Sequence, residues 1–251
     1  MPEAANQLPI IYLQGSTASG KGTLGSKLAA EFNMYHLSLG DATRKLTAAC
    51  RQPIPGMPKA VNACVAQGQP IPEEVLAKFD VIPAVLQVHN ARASKKNILP
   101  ALIRPILLEK IAEITSACAA QRRENEGKRK YTAIVLDGYP LWPDHVREAQ
   151  ELFGSALSGL VIFIECPEDV ARARYLARGG GRHNTGDSFE SRMRNFKVAS
   201  KKVLRMMEEN GTILVRTVND DSMSVEEAYQ MLRGRLAETP IWRELIGNKA
   251  T

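Results

Sequence analysis

Apolar residues along this chain gather into five short runs: Ile10–Gln14, Met34–Leu37, Ala133–Asp137, Leu160–Glu165 and Thr212–Val218. Val, Ile and Leu dominate them without clean polar alternation, the pattern of parallel strands buried on both faces. Between the runs, apolar positions fall three and four apart. Leu24, Leu28 and Phe32 predict a helix over 21–32. Ile106, Leu107, Ile111, Ile114 and Cys118 predict one over 105–120, with Pro105 suited to its first turn. A further helix is expected over 73–92, then a basic loop over 92–100. Phe189, Met193 and Phe196 mark the buried stripe of another helix. Strand–helix alternation predicts an α/β fold, a doubly wound five-stranded parallel sheet with right-handed crossovers. Ligands of such sheets bind at the carboxyl ends of strands. Segments 15–23, 38–41 and 137–140 each follow a strand and are expected to converge on one cleft.

The most specific chemistry lies behind the first strand, in Gly15-Ser16-Thr17-Ala18-Ser19-Gly20-Lys21-Gly22-Thr23. An apolar strand runs into a glycine-flanked loop, and the loop into a helix. That is the context of a phosphate-binding loop, or P-loop. Gly15 and Gly20 let the backbone turn its N–H groups toward an anion, and the helix adds its positive end. Lys21 supplies a mobile charge for the β- and γ-phosphates. Asp137, at the end of a buried strand beside the loop, fits the duty of orienting magnesium-bound water, with Thr23 as the hydroxyl partner.

Composition adds bounds. A chain of 251 residues, 44% hydrophobic, can bury one sizeable core. The formal charge of +6 favours anionic partners, nucleotides among them. The densest basic stretch, Gln121–Lys130, is interrupted by Glu124 and Glu126 and reads as a solvated loop, so no nucleic-acid partner is expected from it. Cys50, Cys64, Cys118 and Cys166 are scattered, without a metal-binding pair or a disulfide framework, as in a reducing compartment. No apolar run approaches membrane-spanning length. The expectation is a cytoplasmic protein without a membrane partner, the nucleus being the alternative.

The Gly-Lys-Gly-Thr ending of the loop resembles the nucleoside-monophosphate kinases, adenylate and UMP/CMP kinases among them. Further blocks carry the same resemblance. Ser38-Leu39-Gly40-Asp41 followed by Arg44 resembles the segment that grips the acceptor phosphate. Ala66–Pro72, with Gln69, resembles a turn that approaches the acceptor nucleotide. Asp137-Gly138-Tyr139-Pro140 resembles the family's strand-end motif, and His145 falls where relatives read the base with Gln or Asn. Arg174, Arg178, the Gly179–Gly181 hinge, Arg182 and Arg192 resemble a short, zinc-free lid whose arginines neutralise the transferring phosphoryl. The resemblance covers about residues 8–236. It implies one P-loop kinase domain over 8–240, with a monophosphate-binding arm and insertion at 45–130, a lid at 179–191, and tails at 1–7 and 241–251. It also implies ATP and Mg2+, with AMP slightly ahead of UMP and CMP as acceptor. Residues 15–23 and Asp137 would bind ATP. Gly40, Arg44, Gln69, Gly138 and His145 would bind the monophosphate. Lys21 and the four lid-region arginines would act in catalysis.

The family pattern breaks on the acceptor side. Its strand-end motif continues with arginine, where this chain has Leu141. Arg104, Arg147, Lys95 or Lys96 are candidate replacements. Two other readings therefore stand beside the kinase. One is a catalytically degenerate ATP-binding relative whose 73–130 insertion serves a protein partner. The other is a P-loop ATPase or kinase acting on nucleic acid.

Overall fold

The structure is a computed structural model that describes residues 8–50, 52–94, 99–124, 131–153, 159–178 and 186–247. The chain forms two compact units, Met1–Ser38 with Glu124–Thr251, and Leu39–Arg123.

The first unit is built on β1 (Ile10–Gly15), β2 (Tyr35–Ser38), β3 (Ile134–Asp137), β4 (Leu160–Glu165) and β5 (Ile213–Val218). These pair in the order β2-β3-β1-β4-β5, every neighbour parallel. The five runs expected from sequence match these strands to within a residue; the central β1, β3 and β4 are mostly buried, whereas the edge strands β2 and β5 are only partly so. The order turns at β1, with β2 and β3 on one side and β4 and β5 on the other. A crevice is expected at the carboxyl end of β1, where the phosphate loop begins.

Ile11 and Leu13 face one layer, formed by Leu24 and Leu28 of α1 (Lys21–Glu31) and by Ala228, Tyr229 and Leu232 of α10 (Val225–Ala237). Tyr12, in register with Leu136 and Val161, alternates to the other face, and all three are fully buried. On β3 and β4 follow α7 (Pro143–Phe153), α8 (Glu168–Ala177) and α9 (Gly186–Glu209). Ala171, Tyr175, Phe189 and Met193 of α8 and α9 close a second cluster around Ala18 of the loop. Residues 241–247, expected as a tail, lie instead in α11 (Pro240–Gly247). Its Trp242 is buried in the main core, edge-on to Phe32 with ring centroids 4.9 Å apart. Residues 1–7 and 248–251 lie outside the described residues.

The second unit contains α2 (Leu39–Ala49), α3 (Lys59–Gln67), α4 (Glu73–Leu76), α5 (Ala84–Ala93) and α6 (Leu99–Glu124). Val61, Val65, Ile71 and Leu86 form its buried core. The helix expected over 73–92 is two helices. Pro83 sets the start of the second: it disfavours helical geometry at Ile82, and its carbonyl accepts from the N–H groups of Leu86 and Gln87 of α5, while α4 already ends at Leu76. Pro105 lies inside α6 rather than in its first turn, because the helix starts upstream at Leu99. The apolar face read from sequence holds, with Ile106, Leu107, Ile114 and Cys118 buried. Lys95 and Lys96, in the expected basic loop, lie outside the described residues.

Candidate nucleotide site

The loop between β1 and α1 is held by close backbone approaches that only glycine permits. Gly15 has φ +147°, and a Cβ there would lie 2.6 Å from the Ile164 carbonyl oxygen. Gly20 has φ +92°, and its Cβ would lie 2.1 Å from Asn219 Nδ2. Gly20 caps α1 without a side-chain hydrogen bond. The helix therefore presents its first-turn N–H groups at the loop, as an anion site requires. The hydroxyls of Ser16 and Ser19 are buried with no hydrogen-bond partner in the protein. Buried donors without partners are costly on their own, and a phosphate would satisfy them.

Lys21 folds back into the loop. Its Nζ donates to the carbonyls of Gly15 at 2.9 Å and Ser16 at 2.6 Å. Desolvation holds its pKa below the ordinary lysine range; Asp137 opposes that shift and Arg178 adds to it. Asp137 ends β3, buried, in register with Leu13 of β1 and Ser38 of β2. A Cβ on Gly22 would lie 3.9 Å from Asp137 Oδ2, so the carboxylate stands beside the first turn of α1. Thr23, in that turn, is exposed.

One neighbour of Asp137 escaped the sequence reading. His36 Nε2 lies 3.7 Å from Asp137 Oδ2, and its Nδ1 is 3.1 Å from Ser26 Oγ. Gly25 makes room for the ring, since a Cβ there would come within 2.9 Å of His36 Nε2. A histidine inside a short strand carries no sequence signal of this contact.

The strand-end loop after Asp137 is tightly braced. Gly138 has φ +84°, and its N–H donates to the Leu13 carbonyl at 3.2 Å. Gln14 Nε2 donates to the Pro140 carbonyl at 3.1 Å. His145 is buried, stacked on Tyr139, and its Nδ1 accepts from the Leu141 N–H at 3.2 Å. Burial pushes its pKa below the usual histidine value, against the pull of Glu148 and Asp144. The imidazole is therefore neutral, with its proton on Nε2.

The predicted arginines divide. Arg174 Nη1 donates to the Asn219 carbonyl at 3.1 Å, and Nη2 to the Asp220 carbonyl at 2.6 Å. Its guanidinium is thus engaged by backbone of the loop after β5, a partnership no residue pattern announces. Arg178 ends α8, exposed. Arg192 is exposed on α9, with its guanidinium carbon 5.9 Å from the Tyr175 ring centroid. Residues 186–191 of the expected lid are the first turns of α9; Arg182 and the rest of 179–185 lie outside the described residues.

In the second unit, Gly40 and Arg44 are exposed on α2, and Arg44 pairs with Asp41 one turn earlier. Gln69 follows the left-handed Gly68 that ends α3 and is exposed, and its carbonyl accepts from His89 Nε2 at 2.8 Å. Of the candidate replacements for the arginine missing at Leu141, Arg147 pairs with Asp144 on the surface of α7, and Arg104 is exposed on α6.

No protein-family model matches the chain. Curated relatives do, over nearly its whole length. The chain is similar to the UMP-CMP kinase of Lentinula edodes, 24% identical over 239 residues, covering 93% of this chain and 87% of the relative. It is similar to the uridylate kinase of Saccharomyces cerevisiae, 23% identical over 93% of both chains. It is 21% identical to the human UMP-CMP kinase over 88% of this chain and 92% of the relative. These matches support assigning the chain to the nucleoside-monophosphate kinases, and so to the phosphotransferase enzymes. Among the described residues, no helix is long and apolar enough to cross a membrane.

Proposed function

We propose that this homologue of the nucleoside-monophosphate kinases moves the γ-phosphoryl of Mg-ATP onto a pyrimidine nucleoside monophosphate. The observation that carries the reading is the phosphate loop itself: Lys21 folded against its carbonyls, Asp137 beside it, and two buried serine hydroxyls without protein partners. The names of the relatives favour UMP and CMP over AMP.

Phosphoryl transfer asks the protein mainly for alignment and charge neutralisation. In this reading the loop N–H groups of residues 15–23 and the N-terminal end of α1 hold the ATP phosphates. Lys21 leaves the Gly15 and Ser16 carbonyls to follow the transferring group. Arg178, Arg182 and Arg192 neutralise charge on it, and Arg44 holds the acceptor phosphate. The acceptor is already nucleophilic, so no general base is assigned. Asp137 and Thr23 offer a carboxylate and a hydroxyl, a donor set that suits Mg2+ with most of its waters and phosphate ligands retained. Among the described residues, no cluster of three or more His, Cys, Asp and Glu forms a closed metal cage. When bound, the ion supplies further charge neutralisation across the phosphates. We place the protein in the cytoplasm.

The test is ADP formation from Mg-ATP with UMP, CMP, AMP and GMP supplied one at a time, beside a no-acceptor blank. Acceptor-dependent turnover is expected, fastest with UMP or CMP. ATP binding at only the blank rate would instead favour the degenerate relative. Leu141 motivates that second reading, because it exposes an apolar side chain where the family resemblance expects an arginine.

A further inference from the structure

We propose that Asn219 is a positioning residue for ATP: it ties the phosphate loop to Arg174 and so aims the Gly20 N–H at the bound phosphates. The inference rests on the kinase reading above.

Asn219 follows β5 directly and is buried. Its Nδ2 donates to the Ser19 carbonyl at 2.8 Å, across 200 residues of chain. Its backbone N–H donates to the Glu165 carbonyl at the end of β4, 2.9 Å away. Its own carbonyl accepts from Arg174 Nη1, while Nη2 takes the next carbonyl, that of Asp220. One residue thus joins the loop, the end of β4 and α8.

The geometry of the peptide group gives this bond its consequence. A trans peptide is planar, and its C=O and N–H point in opposite directions. The Ser19 carbonyl and the Gly20 N–H belong to the same peptide. When Asn219 anchors that carbonyl from outside the loop, the Gly20 N–H is turned the other way. The close approach also contributes to the need for glycine at position 20, since a Cβ would lie 2.1 Å from Asn219 Nδ2. Arg174 holds the anchor in place. A planar fork grips two successive carbonyls better than an ammonium does.

Two substitutions remove the donor. Asn219→Leu keeps the approximate volume without polarity, and Asn219→Asp keeps the shape but sets a carboxylate against the Ser19 carbonyl. ATP affinity is read by calorimetry, acceptor KM and kcat by coupled assay, and folding by thermal melt. Loss of one aimed hydrogen bond predicts ATP binding weaker by about three- to ten-fold in each variant, with acceptor KM within two-fold of wild type. A general loss of structure would move both constants together. Arg174→Ala should weaken ATP binding in the same direction, and combining it with Asn219→Leu should add less than the product of the two effects. If either Asn219 variant folds and binds ATP within two-fold of wild type, the proposal is overturned. Should the Leu variant fail to fold, the Asp variant alone decides. Wild-type protein that binds no ATP would instead overturn the kinase reading itself.

Discussion

Two helical glycines invite the same substitution and should answer with opposite signs. Gly25 lies in α1 and Gly234 in α10, and neither has a positive φ. Replacing an interior helical glycine with alanine gains about 1 kcal/mol from helix propensity alone. At Gly234 nothing lies within 4 Å of the added Cβ, and the position is exposed. Gly234→Ala should therefore realise most of that gain, raising Tm by roughly 2–4 °C for a domain of this size. At Gly25 the Cβ would sit 2.6 Å from Leu13 Cδ2 and 2.9 Å from His36 Nε2. Carbon atoms normally pack at about 3.5–4.0 Å, so something has to move by roughly an ångström. Leu13 is fully buried on the central strand, and His36 lies between Ser26 and Asp137. Overpacking of this kind costs about 1–3 kcal/mol. The net for Gly25→Ala is then a loss of about 0–2 kcal/mol, or up to several degrees of Tm. Because His36 borders Asp137, ATP-dependent turnover should also fall. Paired melts of the two variants check the sign. A Gly25→Ala protein stabilised as much as Gly234→Ala would refute the packing argument.

Lys21→Met should leave the fold intact and lower phosphoryl transfer by about 100- to 1,000-fold, measured as ADP release at saturating ATP. Unchanged turnover would sink the mechanism. Trp242→Ala should cost about 3–5 kcal/mol in urea denaturation, because it empties a core position shared with Phe32; a loss under about 1 kcal/mol would return 241–247 to the status of a tail. His145 has its pKa lowered from 6.5 in the folded protein, so the stability it contributes is present above about pH 6.5 and declines as pH falls through the lowered folded value. One proton limits the slope to about 1.4 kcal/mol per pH unit. His145→Asn, which keeps an acceptor near the Nδ1 position for the Leu141 N–H, should flatten that decline in acid melts; an unchanged profile assigns it to other groups.

β1, β3 and β4 were legible because each is largely a run of apolar Val, Ile and Leu, and Gly15 to Thr23 because its chemistry is local in sequence. Pro83 and Pro105 show the limit of the helix reading. A proline marks a constraint on the backbone, yet the upstream residues decide whether it precedes a helix, as at 83, or rides within one, as at 105. Trp242 was missed because an eight-residue amphipathic end looks like a tail until the core that receives it is known. Arg174 was read as neutralising the transferring phosphoryl from the resemblance of 174–192 to a short lid. In the structure its guanidinium also meets the backbone carbonyls of residues 219 and 220, and a carbonyl has no residue identity to detect. The contacts of His36 with Asp137 and of Asn219 with Ser19 were invisible because these partners lie about 100 and 200 residues apart along the chain.

The order of the sheet bears on how the molecule is made. β1 leaves the ribosome first, yet its partners are β3 and β4, with Ile10 paired to Ile134 and Ile11 to Leu160. At about 5–20 residues per second, the segment Ile10–Gly15 waits roughly 6–25 s for its first neighbour. Meanwhile all of Leu39–Arg123 emerges as one uninterrupted stretch with its own buried core. The middle of the chain is thus free to fold before its beginning. For that interval the strand that will carry the phosphate loop is an unpaired apolar segment, open to wrong pairing.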